Sequence, residues 1–352
     1  MRVLGIETSA DDTGIALIEA KGAFGPDFSY KILGNVVHSQ KIHEAYGGIH
    51  PNLAKNEHTK NLPAVLDQVL RDAHESASRP KIDAIAVTHG PGIEPCLWTG
   101  INFAQKLSEQ WSVPIVPVNH MEGHMLVSMM ENGKLAHFDF PAIALLISGG
   151  HTELILMKSF GQYEYIGRTR DDAVGEAFDK VARMIGLPYP GGPPISKLAE
   201  KSRCNEMTSH CIRLPRPMMN SKNFDFSFSG LKTAVLRFVQ THSPLSEDQK
   251  ANIAQEFEDA VTEVLVGKTL RAVEEYGACA VVIGGGVSAN RHIRAELNRK
   301  LAEIGVHELL VCPPEFSTDN GLMIALAGYF HALKKEFTNI ESLTANGNLD
   351  LC

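Results

Sequence analysis

One short pattern occurs twice in this chain, about half its length apart. An apolar run, Val3-Leu4-Gly5-Ile6, breaks at Glu7-Thr8-Ser9-Ala10-Asp11-Asp12-Thr13-Gly14 and resumes as Ile15-Ala16-Leu17-Ile18. Further on, Ala142 to Ile147 is apolar, Ser148-Gly149-Gly150-His151-Thr152 interrupts it, and Leu154-Ile155-Leu156-Met157 returns. Two apolar runs of strand length around a small, polar turn read as a β-hairpin. A hairpin used twice predicts two similar lobes facing a shared cleft.

Between and after the hairpins the periodicity alternates. Residues 51–77 have helical spacing with Pro63 as an expected break or restart, 83–88 read as a strand ending in His89-Gly90-Pro91-Gly92, and 95–111 read as a helix. Helical patterns follow at 171–185, 229–240 and 246–276, strands at 280–283 and 309–312, and a last helix near Thr318. Strands that alternate with helices specify an α/β architecture with largely parallel sheets. The Pro-, Gly- and Ser-rich stretch 186–228 is the least regular and reads as an elaboration of one lobe.

Composition narrows the class. Apolar residues at 44% and charged residues at 21% suit a globular chain with a full core. No run of about eighteen apolar residues could cross a bilayer. The start of the sequence, Met1 directly into a strand, carries neither a signal-peptide nor a transit-peptide pattern. Six scattered cysteines (Cys96, Cys204, Cys211, Cys279, Cys312, Cys352) form no C-x-x-C pair, which fits a reducing cytoplasm. A net charge of −8 argues against a general nucleic-acid coat. Residues 168–237 nevertheless hold twelve Lys/Arg against seven Asp/Glu, a local basic excess that reads as either a solvated face or an RNA contact surface. Arg213 and Arg216 are its expected contacts.

Three groups of residues carry possible chemistry. Glycine turns let backbone N–H groups approach a phosphate, so Gly149-Gly150, Gly90-Pro91-Gly92 and Gly284-Gly285-Gly286 are candidate parts of a nucleotide cleft. The third stands between a strand and a helix, with Asn290 placed to reach a ribose or base. His120 and His124 in His120-Met121-Glu122-Gly123-His124 lie four apart, on one helix face, where they can share a metal ion. Asp319 is a third donor if the fold brings it near. Asp11, Asp12 and Asp179 are carboxylates whose bland reading is surface pairing.

Together these segments resemble one family. Ile6-Glu7-Thr8-Ser9, Tyr46-Gly47-Gly48-Ile49, His120-Met121-Glu122-Gly123-His124 and Ser148-Gly149-Gly150-His151-Thr152 carry the likeness. So do Gly175-Glu176-Ala177-Phe178-Asp179-Lys180, Tyr189-Pro190-Gly191-Gly192, the run from Asp225 to Thr233, Gly285-Gly286-Val287-Ser288-Ala289-Asn290 and Thr318-Asp319-Asn320-Gly321. The chain is similar, over about residues 1–330, to the bacterial TsaD family of tRNA N6-adenosine threonylcarbamoyltransferases, formerly called glycoproteases. The resemblance implies a duplicated α/β fold of the actin/Hsp70/sugar-kinase (ASKHA, RNase H-like) type with an interlobe cleft. It places one lobe at residues 1–135 plus 320–352 and the other at 136–319, with an inserted helical segment at about 186–245.

The implied reaction moves a threonylcarbamoyl group from threonylcarbamoyl-AMP to N6 of adenosine 37 in tRNAs reading ANN codons. The implied metal ligands are His120, His124 and Asp319, holding one divalent ion, Fe2+ ahead of Zn2+. The implied substrate contacts are Leu146, Ile147, Ser148, Gly149, Gly150, Asp179, Gly192 and Asn290, with Asp11 as candidate proton acceptor. Implied partners are tRNA, TsaB-like and TsaE-like proteins, a TsaC-like supplier of the adenylate, and a possible second copy of the chain, with no membrane. The chain departs from the family pattern at Ala10, Asp12, Asn52 and Asn56, where the family usually has Cys, Glu, Glu and Arg. The other readings are a metalloprotease and a small-molecule kinase of the same superfold.

Overall fold

The computed structural model describes residues 1–204 and 212–352, so Cys211 lies outside the described residues. The chain divides into two compact units, Met1–His137 with Cys312–Leu351, and Phe138–Val311 with Cys352.

The first unit is built on a seven-stranded sheet in the order β5-β4-β1-β2-β3-β7-β6. Its strands are β1 (Arg2–Glu7), β2 (Asp12–Lys21), β3 (Ser29–Ser39), β4 (Ala84–Gly90), β5 (Ile115–Asn119), β6 (Met130–Glu131) and β7 (Lys134–Leu135). Strands β1 to β3 run antiparallel, and β4 and β5 join β1 in parallel. Helices α1 (Pro51–Asp72), α2 (Glu94–Trp111) and α3 (His120–Ser128) belong to this unit.

Side chains alternate across β1. Leu4 and Ile6 join Ile15, Leu17, Leu62, Val69, Ile85 and Ile101 in a core that takes in α1 and α2. Val3, Gly5 and Glu7 therefore face the other side of the sheet. The expected break at Pro63 does not occur, since α1 runs through it without interruption. Pro63 and Thr59 both lie on the exposed face, so the carbonyl that the proline leaves without a donor meets solvent.

The second unit carries a five-stranded sheet in the order β10-β9-β8-β11-β12. Its strands are β8 (Ala142–Ile147), β9 (Thr152–Ser159), β10 (Gln162–Arg168), β11 (Ala280–Gly284) and β12 (Glu308–Val311). The pattern is that of the first unit: β8 to β10 antiparallel, then β11 and β12 parallel to β8. Its helices are α4 (Val174–Met184), α5 (Gly192–Arg203), α6 (Ser229–His242), α7 (Glu247–Tyr276) and α8 (Arg291–Glu303). Ile143, Leu145, Phe178, Val181, Phe226, Phe257, Val261 and Ile283 share one core. Helix α7 begins with a capping box, Ser246 with Gln249, and ends at Gly277 in the left-handed conformation.

The last helix, α9 (Gly321–Leu333), belongs to the first unit and is buried over most of its length. It packs on β1, β2, β4 and β5, on the face opposite α1 and α2. Glycines permit this approach. A Cβ on Gly14 would lie 2.7 Å from the Gly321 nitrogen, and one on Gly321 would overlap the backbone of Ile15 and Ala16. Likewise a Cβ on Gly5 would overlap the Gly321 carbonyl and Ala325. Backbone therefore meets backbone where α9 begins.

Candidate metal centre and glycine turns

Helix α3 starts where β5 ends. Asn119 caps it, its Oδ1 accepting from the Met121 and Glu122 amides at 2.9 and 3.4 Å. The helix is buried throughout, so both of its imidazoles sit inside the unit. Asp319 stands just before α9, in a turn held by Asn320. The Asn320 Oδ1 accepts from the Met323 amide at 3.1 Å, and its Nδ2 donates to the Thr318 and Phe316 carbonyls.

With α3 packed against α9, three donors converge. One ligand atom each from His120, His124 and Asp319 falls within 4.8 Å of the others. The Asp319 Oδ1 lies 3.0 Å from His124 Nε2 and 3.5 Å from His120 Nε2. All three residues belong to the first unit, so they meet inside one unit rather than between two. The reason is local: Asp319 precedes a helix that the sheet of that unit buries.

Two imidazoles and a carboxylate are the donor set of divalent transition metals. The charges fit as well. Burial alone would lower the pKa of His120, but Glu7 and Asp319 raise it to about 9. Burial works against ionised Asp319, yet the two histidines hold it well below the usual carboxylate range. Glu7 and Asp319 thus gather negative charge around the His120 and His124 imidazoles. Burial, then the charge of Asp319, pushes the neighbouring Asp12 up to about 7.

Residues to which the sequence assigned no role complete the surroundings. Glu7 is fully buried, and its Oε2 lies 3.0 Å from His120 Nδ1 and accepts from Thr88 Oγ1 at 2.6 Å. The Ser9 hydroxyl reaches Asp319 Oδ2 at 3.4 Å. Glu122 turns away from the ligand pair and bonds His331 Nε2 at 2.7 Å. It is therefore not placed as the water-activating base of a zinc peptidase. The signal for Glu7 was a carboxylate closing an apolar strand.

Asp11 is half-buried in the β1–β2 turn, and its backbone carbonyl accepts from the Gln40 amide at 3.1 Å. Its carboxylate adds to the burial that pushes the Cys96 thiol up to about 12. The Asp11 carboxylate is not one of the three clustered ligands.

The remaining expected contacts all fall in the second unit. Leu146 and Ile147 are fully buried in β8, so only their backbone could meet a ligand. Ser148 closes the turn, its amide donating to the His151 carbonyl at 2.9 Å and its Oγ accepting from the His151 amide at 3.1 Å. Gly149 and Gly150 are exposed, and a Cβ on either would meet nothing within 4 Å.

Asp179 Oδ1 accepts from the Gly191 amide at 2.6 Å, which ties α4 to the start of α5, where Gly192 is the first residue. Burial raises the pKa of this carboxyl. Asn290 caps α8 through the Ile293 amide, and its Nδ2 donates to Ser196 Oγ at 2.9 Å and Glu258 Oε1 at 2.7 Å. Both hydrogens of that amide are thus in use joining α5, α7 and α8.

The basic excess of 168–237 is largely balanced. Arg170 pairs with Asp225, Lys180 with Asp172 and Glu176, and Lys232 with Asp172. Arg203 pairs with Glu258 and Asp259, and Arg216 with Glu256 and Glu263. Arg216 is a poor candidate for a phosphate contact, because α7 supplies carboxylates from outside the basic stretch. Arg213 is exposed beside it and stays a candidate.

Comparison with known proteins gives this arrangement a context. Component A of (R)-2-hydroxyglutaryl-CoA dehydratase from Acidaminococcus fermentans aligns with a TM-score of 0.51 at 15% identity, over 95% of this chain and 99% of its own. Full-length HypF aligns with a TM-score of 0.55 at 13% identity, over 94% of this chain and 46% of its own. At such identities the likeness speaks of fold: the two-unit α/β architecture of the actin/Hsp70/sugar-kinase type.

Sequence relatives are much closer. The tRNA N6-adenosine threonylcarbamoyltransferase of Persephonella marina is 45% identical over 334 residues, 94% of this chain and 90% of its own. That of Aromatoleum aromaticum is 44% identical over 333 residues, 94% and 92%. The TsaD family, described as tRNA N6-adenosine threonylcarbamoyltransferase, matches residues 31–326. A match of that extent, with a His-His-Asp cluster on the residues expected of the family, leaves one assignment: the chain belongs to the TsaD family of tRNA N6-adenosine threonylcarbamoyltransferases.

Proposed function

We propose that this chain transfers a threonylcarbamoyl group from threonylcarbamoyl-AMP to N6 of adenosine 37 in tRNAs reading ANN codons. Membership of the family carries the reading, and the convergence of His120, His124 and Asp319 supports it. In the reaction the N6 lone pair attacks the carbamoyl carbon. The bond from that carbon to the phosphate oxygen breaks, AMP leaves with the electron pair, and N6 loses a proton. The donor is already an activated mixed anhydride, so the protein has chiefly to position it and stabilise charge.

Under this reading, His120, His124 and Asp319 hold one divalent cation, iron ahead of zinc. When bound, the cation supplies Lewis acidity and counter-charge toward oxygens of the threonylcarbamoyl end. Gly149 and Gly150 present exposed backbone without side chains, which suits the adenylate phosphate. Ser148 fixes that turn, and the Ile147 and Leu146 backbone continues it. Asp179, Gly192 and Asn290 order the start of α5 and α8, beside which we place the ribose and adenine. Asp11 is the candidate acceptor of the N6 proton.

The partners would be tRNA, TsaB-like and TsaE-like proteins, a TsaC-like source of adenylate and, in a homodimer, a second copy of the chain. A tRNA substrate puts the protein in the cytoplasm, and among the described residues no helix is long and apolar enough to cross a membrane.

Nucleoside mass spectrometry tests the reading. The full chain, incubated with unmodified tRNA and threonylcarbamoyl-AMP, with TsaB-like and TsaE-like proteins added, should yield N6-threonylcarbamoyladenosine. Unmodified adenosine in every such mixture would overturn it.

A further inference from the structure

Glu7 is a carboxylate with no exposed surface, at the end of a strand whose preceding residues Val3 to Ile6 are apolar. Burying such a group unpaired costs several kcal/mol, so its partners matter. One oxygen, Oε1, accepts from the Ser9 amide at 2.5 Å. The other, Oε2, accepts from Thr88 Oγ1 at 2.6 Å and faces His120 Nδ1 at 3.0 Å. Thr88 is itself fully buried, one strand over in β4. One oxygen is therefore held from the buried β1–β2 turn and the other from strand β4.

The strand pleat explains why Glu7 can do this. Gly5, two residues earlier, meets α9, so Glu7 points to the same side of the sheet, where α3 and α9 carry the metal ligands. An ionised carboxylate can only accept. It therefore holds a hydrogen of His120 on Nδ1, so that a cation arriving at the centre would displace the proton of Nε2, the atom that lies toward Asp319. His124 is different: among the described residues its buried Nδ1 has no hydrogen-bond partner. The two histidines four residues apart on one helix are thus not equivalent, since His120 has a second partner that fixes its Nδ1.

We propose that Glu7, braced by Thr88, is a positioning residue of the metal centre, orienting His120 so that its Nε2 is presented as a ligand. The inference rests on the reading that this centre holds a divalent cation. Carboxylates that hold a ligating imidazole in this way tune both affinity and geometry.

Titration of the full, metal-stripped chain with Co2+, followed by its visible absorption, separates the two claims. Wild type should bind one Co2+, and His124→Ala should lose the spectrum. Glu7→Gln puts an amide N–H2 against either the Ser9 amide or the Thr88 and His120 donors. It should weaken Co2+ binding by about 10- to 100-fold and shift the absorption bands, with Glu7→Asp recovering part of the loss. Thr88→Val, which leaves the carboxylate in place, should cost a smaller factor of about 3 to 10, and decides the matter if Glu7→Gln does not fold. Wild-type affinity and an unchanged spectrum in the Glu7 and Thr88 variants would sink the positioning role alone. Failure of the wild type to bind Co2+ would sink the centre and this inference with it.

Discussion

The two units share the order of five strands and place a hairpin turn at the same point, yet the turns differ in almost every chemical respect. The turn after β1 is dense and acidic. Glu7, Thr8 and Ser9 are buried, Asp12 is pushed up to about 7, and Asp319 and two histidines stand close by. The turn after β8 is bare. It holds Ser148, two glycines with open space where a side chain would go, and no carboxylate. Equivalent backbone therefore serves opposite purposes. In the first unit the turn contributes side chains to a charged centre; in the second it contributes exposed amides. The difference arises from what packs behind each turn. Helix α9 closes over the first, whereas the second receives only the start of α4, where Gly175 meets the Ser148 and Gly149 backbone and leaves the side-chain positions of Gly149 and Gly150 open.

The largest effect should come from closing the space that lets α9 seat itself. Gly321→Ala places a methyl group against the Ile15 and Ala16 backbone, which has no side chain to give way. It should cost about 3 kcal/mol or more, read as a lower unfolding midpoint, and should reduce bound metal per chain because Asp319 moves with the helix. Full stability in this variant would mean that the glycine contact does not set the position of α9.

A smaller effect concerns pH, and it belongs to the first unit. Burial lowers the pKa of His331, but its bonds to Glu122 and Glu336 outweigh that and raise it to about 9. A folded pKa above the ordinary value of about 6.5 means that the bound proton stabilises fully below that pH. The contribution fades as pH rises from about 6.5 to about 9. Urea unfolding should show a loss on the order of 2 kcal/mol across that window in the wild type, and His331→Gln should flatten it. An equal slope in the variant would assign the pH dependence elsewhere.

The smallest effect on stability should follow from filling the bare turn. Gly150→Ala meets nothing within 4 Å and should shift stability by no more than about 0.5 kcal/mol. Its consequence should appear instead as a higher KM for threonylcarbamoyl-AMP with kcat little changed. An unchanged KM would remove the glycine turn from donor binding and narrow the contrast between the units.

Much of this was readable in the chain itself. The hairpins announced themselves because apolar runs of strand length stop at short polar segments, although the strands reach into those segments at Glu7, Asp12 and Thr152. His120 and His124 were visible because their spacing puts them on one helix face, and Asp319 because it opens a helix. What stayed hidden depends on partners distant in sequence. Glu7 could be seen as a charge at a strand end, but not as facing His120, which lies 113 positions away. Asn290 read as a free hydrogen-bonding group until Ser196 and Glu258 turned out to hold it. Arg216 read as a cation for RNA because Glu256 and Glu263 sit on a helix that local charge counting leaves out. Pro63 read as a helix break because exposure, which makes it tolerable, is a property of the fold.

The glycine contact beneath α9 has a consequence for anyone wishing to retune the site. Where main chain rests on main chain, there is no side chain to trim or enlarge by degrees: an added methyl group shifts the start of the helix as a whole, and Asp319 with it. The spacing of the donors is inherited with the scaffold. If the cluster holds an ion as proposed, changing which one it prefers would have to proceed by exchanging the donor atoms themselves, with the frame left as it stands.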